Sequence, residues 1–218
     1  MTTSSTMRQA AYEQIEELLN TAELAPGEIV TQRGLMERTG ATLAAIREAI
    51  PRLEAEGLLK TLPNRGLMVP SLDVRFVRDA YQLRSIIETS AVADVIRVHP
   101  KSWIEAWIRE HEAYLDRASS DLDEEASKEF QHLDWRLHQQ IVQSVNNDLI
   151  DNIYRVNSIK IRMAVQSRIK VTRTNIERVT GEHLEFLQPM LDGDEERAKM
   201  ALSRHIENSL KLALGETL

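Results

Sequence analysis

Apolar side chains recur at helical spacing from near the start of the chain. Ala11, Ile15, Leu18 and Leu19 share one helix face. They follow the polar stretch MTTSSTM, which reads as a frayed tail and lacks the apolar core of a signal peptide. APGE (25–28) is a turn signal. Thr31 is placed to cap a short helix through Leu35 and Met36, Gly40 to end it, and Thr42 to cap the next helix. That helix turns Ile46, Ile50 and Leu53 inward and stops at Gly57. Helix, tight glycine turn, helix is the helix-turn-helix pattern. LLKTLPNRGLMVP (58–70) then reads as two short strands around Asn64, Arg65 and Gly66, a hairpin in the position of a wing. Residues 6–70 are therefore expected to form a winged-helix DNA-binding domain.

From Ser71 onward the pattern is helical almost throughout. Helices are expected over 74–98, 101–118, 124–145, 148–170, 174–191 and on to Leu214. His99 with Pro100, the polar connector SSDLDEE (119–125), Asn146 with Asn147, and DGD (192–194) separate them. The expected architecture is mostly α: a winged helix-turn-helix with a small β-hairpin, then an all-α bundle over 74–214. A short linker at 71–73 joins the two.

Composition agrees. Gly and Pro are few (8 and 6), and 42% of the chain is apolar. No cysteine is present, which excludes disulfides and thiolate metal sites. No apolar run approaches membrane-spanning length, so a cytoplasmic protein is expected. The net charge of −7 counts against a nucleic-acid binder, but its distribution is uneven. Between Ile29 and Pro70, Arg33, Arg38, Arg47, Arg52, Lys60 and Arg65 face only Glu37, Glu48, Glu54 and Glu56, a local +2 that leaves −9 elsewhere.

In LDWRLHQQ (133–140), Asp134 and His138 stand one helical turn apart among Leu133, Leu137 and Ile141. His183 in GEHLEFL and His205 in ALSRHIENSL have similar apolar neighbours. One carboxylate and three imidazoles from three helices form an N/O ligand set for a divalent transition metal. Internal hydrogen bonding is the alternative, and spacing alone does not separate the two. His99, His111 and His132 read as solvated.

The chain resembles the GntR-family transcription regulators of the FadR-type (FCD) subfamily. The first domain does so through LAPGEIVTQRGLMERTG, IREAIPRLEAEGLL and PNRGLMV. The second does so through LRSIIE, LDWRLHQQIVQSVNND and GEHLEFLQPMLDGDEERAKMALSRHI. The resemblance implies a metal on Asp134, His138, His183 and His205, with zinc, nickel, manganese and iron all open. It implies that Arg84 meets the carboxylate of a small organic-acid effector, as a guanidinium can grip one through two hydrogen bonds. Arg162 is a weaker candidate. The other reading of Arg84 is an ion pair with Glu88 on a wet surface. The resemblance also implies DNA contacts from Arg33, Thr42, Arg47 and Gly66, to which neighbouring Arg65 can add a phosphate or minor-groove contact. A homodimer on a two-fold double-stranded operator, with no membrane partner, completes the picture.

Two departures bear on DNA. Where the family pattern is Ser-Arg-Thr-Pro, this chain has Thr42, Leu43, Ala44 and Ala45, so the base-reading arginine is Leu43. Leu43 can pack on a thymine methyl instead. Pro51 falls inside the helix, where it removes a bond to the Arg47 carbonyl and should kink the backbone. The expected function is a ligand-responsive regulator, a repressor of a metabolic operon. Its rivals are a metal-dependent hydrolytic enzyme, in which Glu182 is the only nearby base and diverges from His183, and an interaction module whose DNA reading has decayed.

Overall fold

A computed structural model describes residues 2–71, 73–118, 124–166 and 172–218. The chain divides into two units, Met1–Val77 with Ser158–Arg168, and Arg78–Asn157 with Ile169–Leu218.

In the first unit, helix α1 (Thr2–Asn20) packs on α3 (Leu43–Ala55) and α2 (Gln32–Thr39). Residues 2–7, expected to fray, are the opening turns of α1. Tyr12, Ile15 and Leu19 of α1 are buried with Leu35, Ile46 and Leu53. Each such side chain contributes about 1.5–3 kcal/mol by leaving water. The capping residues act as their chemistry predicts. Thr31 accepts from Gly34 N, Thr42 accepts from Ala45 N, and Gly40 closes α2 in the left-handed conformation at φ 71°. Helix α3 runs through Pro51 as one element; Pro51 and Arg47 are both exposed, so water can reach the carbonyl that lost its donor.

The wing strands are β2 (Lys60–Leu62) and β3 (Gly66–Met68). A two-residue strand β1 (Ile29–Val30), too short to leave a pattern, joins them in the antiparallel order β1-β3-β2. Gly66 is required there. Its φ is +109°, and a Cβ would lie 2.7 Å from the Val30 carbonyl oxygen.

The helices that follow are α4 (Val74–Val98), α5 (Lys101–Ala118), α6 (Glu124–Gln143), α7 (Asp148–Gln166), α8 (Arg173–Asp192) and α9 (Glu195–Ala213). Their breaks fall at the expected positions. The expected connector over 119–123 and the expected end of α7 near Lys170 lie outside the described residues. In the second unit α8 packs against α5 and α9. Val92, Ile104, Leu137, Ile141, Phe186 and Leu202 are buried there. Thr172 and Asp194 cap α8 and α9 through Asn175 N and Arg197 N, and Gly193, left-handed at φ 81°, sets the turn between them. None of the described helices is long and apolar enough to cross a membrane.

Candidate metal centre and nucleic-acid interface

Helix α6 presents Asp134 and His138 one turn apart, α8 presents His183 and α9 presents His205. The four offer ligand atoms that all lie within 4.8 Å of one another. Asp134 Oδ1 is 3.3 Å from His183 Nε2 and 3.7 Å from His138 Nε2. The rings of His138 and His205 stack at 5.1 Å, and His183 stands edge-on to both. Phe186 packs against all three. The histidines are buried, whereas the Asp134 side chain keeps 24% of its exposure, so the cluster meets solvent on its carboxylate side.

The hydrogen bonds behind the rings bear on the two readings left open by spacing. His138 Nδ1 donates to Glu88 Oε2 at 2.7 Å, and His205 Nδ1 donates to Glu182 Oε2 at 2.7 Å. His183 Nδ1 lies 2.9 Å from His111 Nε2. Each ring is thus held from behind, and the Nε2 atoms of His138, His183 and His205 are buried without a hydrogen-bond partner. A buried polar atom left unpaired costs about 1–3 kcal/mol. Three such atoms converging beside a carboxylate fit a divalent cation, which takes neutral imidazole nitrogen and carboxylate oxygen.

The electrostatics agree. Burial alone would raise the Glu88 carboxyl, but Arg84 and then His138 hold it at about 2. Glu182 is likewise held at about 2 against its burial, chiefly by His205. Burial pushes His183 down to about 3 and His205 to about 4, so both rings stay neutral and able to ligate. Asp134 is drawn below the usual carboxylate range, against its burial, by His183, His138 and Arg84.

Arg84 does not lie on a wet surface. It is 6% exposed, and its Nε donates to the fully buried Glu88 Oε1 at 2.7 Å. The Tyr154 hydroxyl donates to the same Glu88 oxygen at 2.5 Å. The Arg84 side chain packs among these groups. Its guanidinium also lies 5.9 Å over the Tyr81 ring. Arg162 instead donates from Nη1 to Asn20 Oδ1 at 3.2 Å, within the first unit.

Other histidines also depart from expectation. His111 is completely buried and belongs to the cluster's support. His99 is half-buried, stacked 4.1 Å from Trp103, with Nε2 2.9 Å from Ser144 Oγ. His132 is exposed as expected. Sequence reasoning missed Glu88 and Glu182 as supports for His138 and His205. The available signal was four-residue register: Glu88 follows Arg84 by one turn, and His111 follows Trp103 and Trp107 on one face of α5.

On the first unit, Arg33, Arg47 and Arg65 are exposed, with Arg65 in the turn between β2 and β3. Arg47 Nε donates to Gln32 Oε1 at 3.0 Å, tying α3 to α2. Leu43 is half-buried at the first turn of α3, and Ala44 beside it is exposed. Thr42 serves as the α3 cap, and Gly66 as the close approach of β3 to β1. Two arginines are committed internally. Arg38 binds Glu28 and the Glu23 carbonyl, and Arg52 binds Glu56 and Gln9 with its guanidinium 3.9 Å above the Tyr12 ring.

Residues 7–69 match the bacterial regulatory proteins of the gntR family, and residues 79–208 match the FCD domain. An HTH-type transcriptional regulator in an unstable DNA locus of Streptomyces ambofaciens is 24% identical over 94% of this chain and 84% of its own. The HTH-type transcriptional repressor RspR of Escherichia coli is 23% identical over 84% of this chain and 78% of its own. Among solved structures, Escherichia coli McbR/YncC superimposes with a TM-score of 0.76 at 15% identity, covering 96% of this chain and 97% of its own. A metal-free FCD domain of a transcriptional regulator gives 0.52 at 20% identity over 66% of this chain and 96% of its own. Likenesses at this identity establish the fold.

Proposed function

Because the chain belongs to the GntR-family transcription regulators that carry an FCD domain, we propose that it is a metal-containing, ligand-responsive repressor of a metabolic operon, sensing a small organic acid. It is a regulator, not an enzyme. The observation that carries the reading is the convergence of three unpartnered Nε2 atoms on Asp134. Asp134, His138, His183 and His205 would hold a divalent ion, whose contribution is a fixed positive charge that an anionic effector can meet.

Charge supports an anionic effector. Asp134, Glu88 and Glu182 are anionic, Arg84 and Arg178 cationic, and the imidazoles neutral as ligation requires. The cluster therefore sums to −1 alone and to +1 with a divalent ion. Arg84, whose guanidinium carries donors beyond the Nε that Glu88 takes, can grip one carboxylate. Effector binding would shift the population between DNA-binding and released states of a homodimer. The working domains are 6–70 for DNA and 74–214 for sensing and dimerisation. Arg33, Arg47 and Arg65 supply phosphate or base contacts to a double-stranded operator, with Thr42, Leu43 and Gly66 shaping the approach. The RspR name supports repression, as a relative's attribute.

The test joins elemental analysis of purified protein, thermal shifts with zinc, nickel, manganese and iron before and after chelation, and gel shifts with DNA flanking the coding region. The expected result is bound metal, metal-dependent stabilisation and retarded DNA that a subset of organic acids releases. Protein that binds none of the four metals, or DNA that never shifts, overturns the corresponding half.

A further inference from the structure

We propose that His111 is the positioning residue of the metal centre: it fixes the tautomer of His183, so that the bare face of Nε2 is the one turned toward Asp134. The role rests on the metal reading above, whereas the tautomer follows from hydrogen bonds alone.

The Trp107 carbonyl can only accept. His111 Nδ1, 2.7 Å from it, must therefore carry a hydrogen. Both rings are completely buried, which favours their neutral forms, and a neutral imidazole carries one hydrogen. His111 Nε2 is then an acceptor. The group facing it, His183 Nδ1 at 2.9 Å, must donate. That leaves His183 Nε2 without hydrogen, 3.3 Å from Asp134 Oδ1.

Without this relay the opposite tautomer would win. Asp134 is a carboxylate aimed at Nε2, and a hydrogen on Nε2 would give it a bond. Any cation would then have to displace that hydrogen before His183 could bind it. His111 opposes the pull by offering an acceptor on the far side of the ring. The other two imidazoles are held by Glu88 and Glu182; His183 alone is held by a neutral group. The choice spares the cluster a further negative charge. His111 is itself steadied by rings spaced four residues apart along α5, Trp107 at 6.0 Å and then Trp103, with His99 from the break before α5 stacked on Trp103.

The test uses the full-length chain. Long-range proton–nitrogen correlation on ¹⁵N-labelled, metal-free protein at neutral pH reads which nitrogen of His183 is protonated. The expected result is hydrogen on Nδ1 in the wild type and on Nε2 in His111→Leu. Affinity is then compared by competition with a chromophoric chelator, using whichever of zinc, nickel, manganese or iron gives the largest thermal shift. His111→Leu should bind about 10–100-fold more weakly. His111→Gln, whose amide oxygen can accept from His183 Nδ1, should recover part of the loss. Thermal midpoints of the metal-free variants report any general loss of folding. Hydrogen on Nε2 in the wild type overturns the proposal even if His111→Leu does not fold, and so does unchanged affinity in a folded His111→Leu. A wild type that binds none of the four metals overturns the metal reading, and the role of His111 with it, while the measured tautomer still stands as a separate result.

Discussion

Lowering the pH from 7 to 5, with a chelator present, should destabilise the bundle severely. In an unfolded chain each histidine titrates at its ordinary 6.5, whereas in the fold burial lowers His183 to about 3 and His111 and His205 to about 4. Between these values the unfolded state binds more protons than the folded state. Stability therefore rises with pH and is lost as the pH falls through 6.5. At pH 5 each unfolded ring lies 1.5 units below its titration point, worth about 2 kcal/mol. The three rings together are worth on the order of 6 kcal/mol, against a typical total of about 5–15 kcal/mol. Glu88 and Glu182, held at about 2 against an ordinary 4.5, contribute above 4.5 and lose that contribution as the pH falls toward 2. The window from 7 to 5 thus belongs to the histidines. Urea unfolding followed by tryptophan fluorescence is the assay, because Trp103, Trp107 and Trp135 all lie in the second unit. His205→Gln should reduce the loss by about a third. Stability that stays within about 1 kcal/mol from pH 7 to 5 would refute the reasoning.

Arg84→Met should cost about 3–5 kcal/mol in urea unfolding, since it strands Glu88 in the interior, and adding Glu88→Gln should restore much of it. Gly66→Ala should destabilise the first unit by more than about 1 kcal/mol, read by thermal unfolding, because its Cβ meets the Val30 carbonyl at a positive φ. Arg33→Ala and Arg47→Ala should each weaken operator binding by about 1–3 kcal/mol in gel shifts, and binding indifferent to both would remove them from the interface. Leu43→Arg should change the preferred sequence in site-selection experiments; an identical motif from both proteins would place Leu43 away from the bases.

The helices were legible because they announce themselves twice, by an apolar stripe and by a cap. Thr31, Gly40, Thr42 and Gly193 mark boundaries through chemistry local to a few residues. The four clustered side chains were legible too, His138 by its one-turn spacing from Asp134. What stayed hidden depends on partners distant in sequence. Nothing within α4 says that Glu88 meets His138, fifty positions on, and nothing within α5 says that His111 meets His183, seventy-two positions on. Strand β1 was invisible because two residues have no period. Residue type alone makes His111 solvated and makes a wet surface the alternative setting for Arg84, and partners inside the protein reverse both.

Glu88 carries one further consequence. Its two oxygens are divided among Arg84, Tyr154 and His138, so a single carboxylate stands between the proposed effector-binding group and one of the proposed ligands. An effector acid that draws Arg84 toward itself weakens the grip of Arg84 on Glu88, leaving Glu88 a stronger acceptor for the His138 hydrogen and His138 a more basic nitrogen on its other side. Thermodynamic linkage then requires reciprocity: by whatever factor the acid tightens the ion, the ion tightens the acid. A cell short of either one would register as short of both.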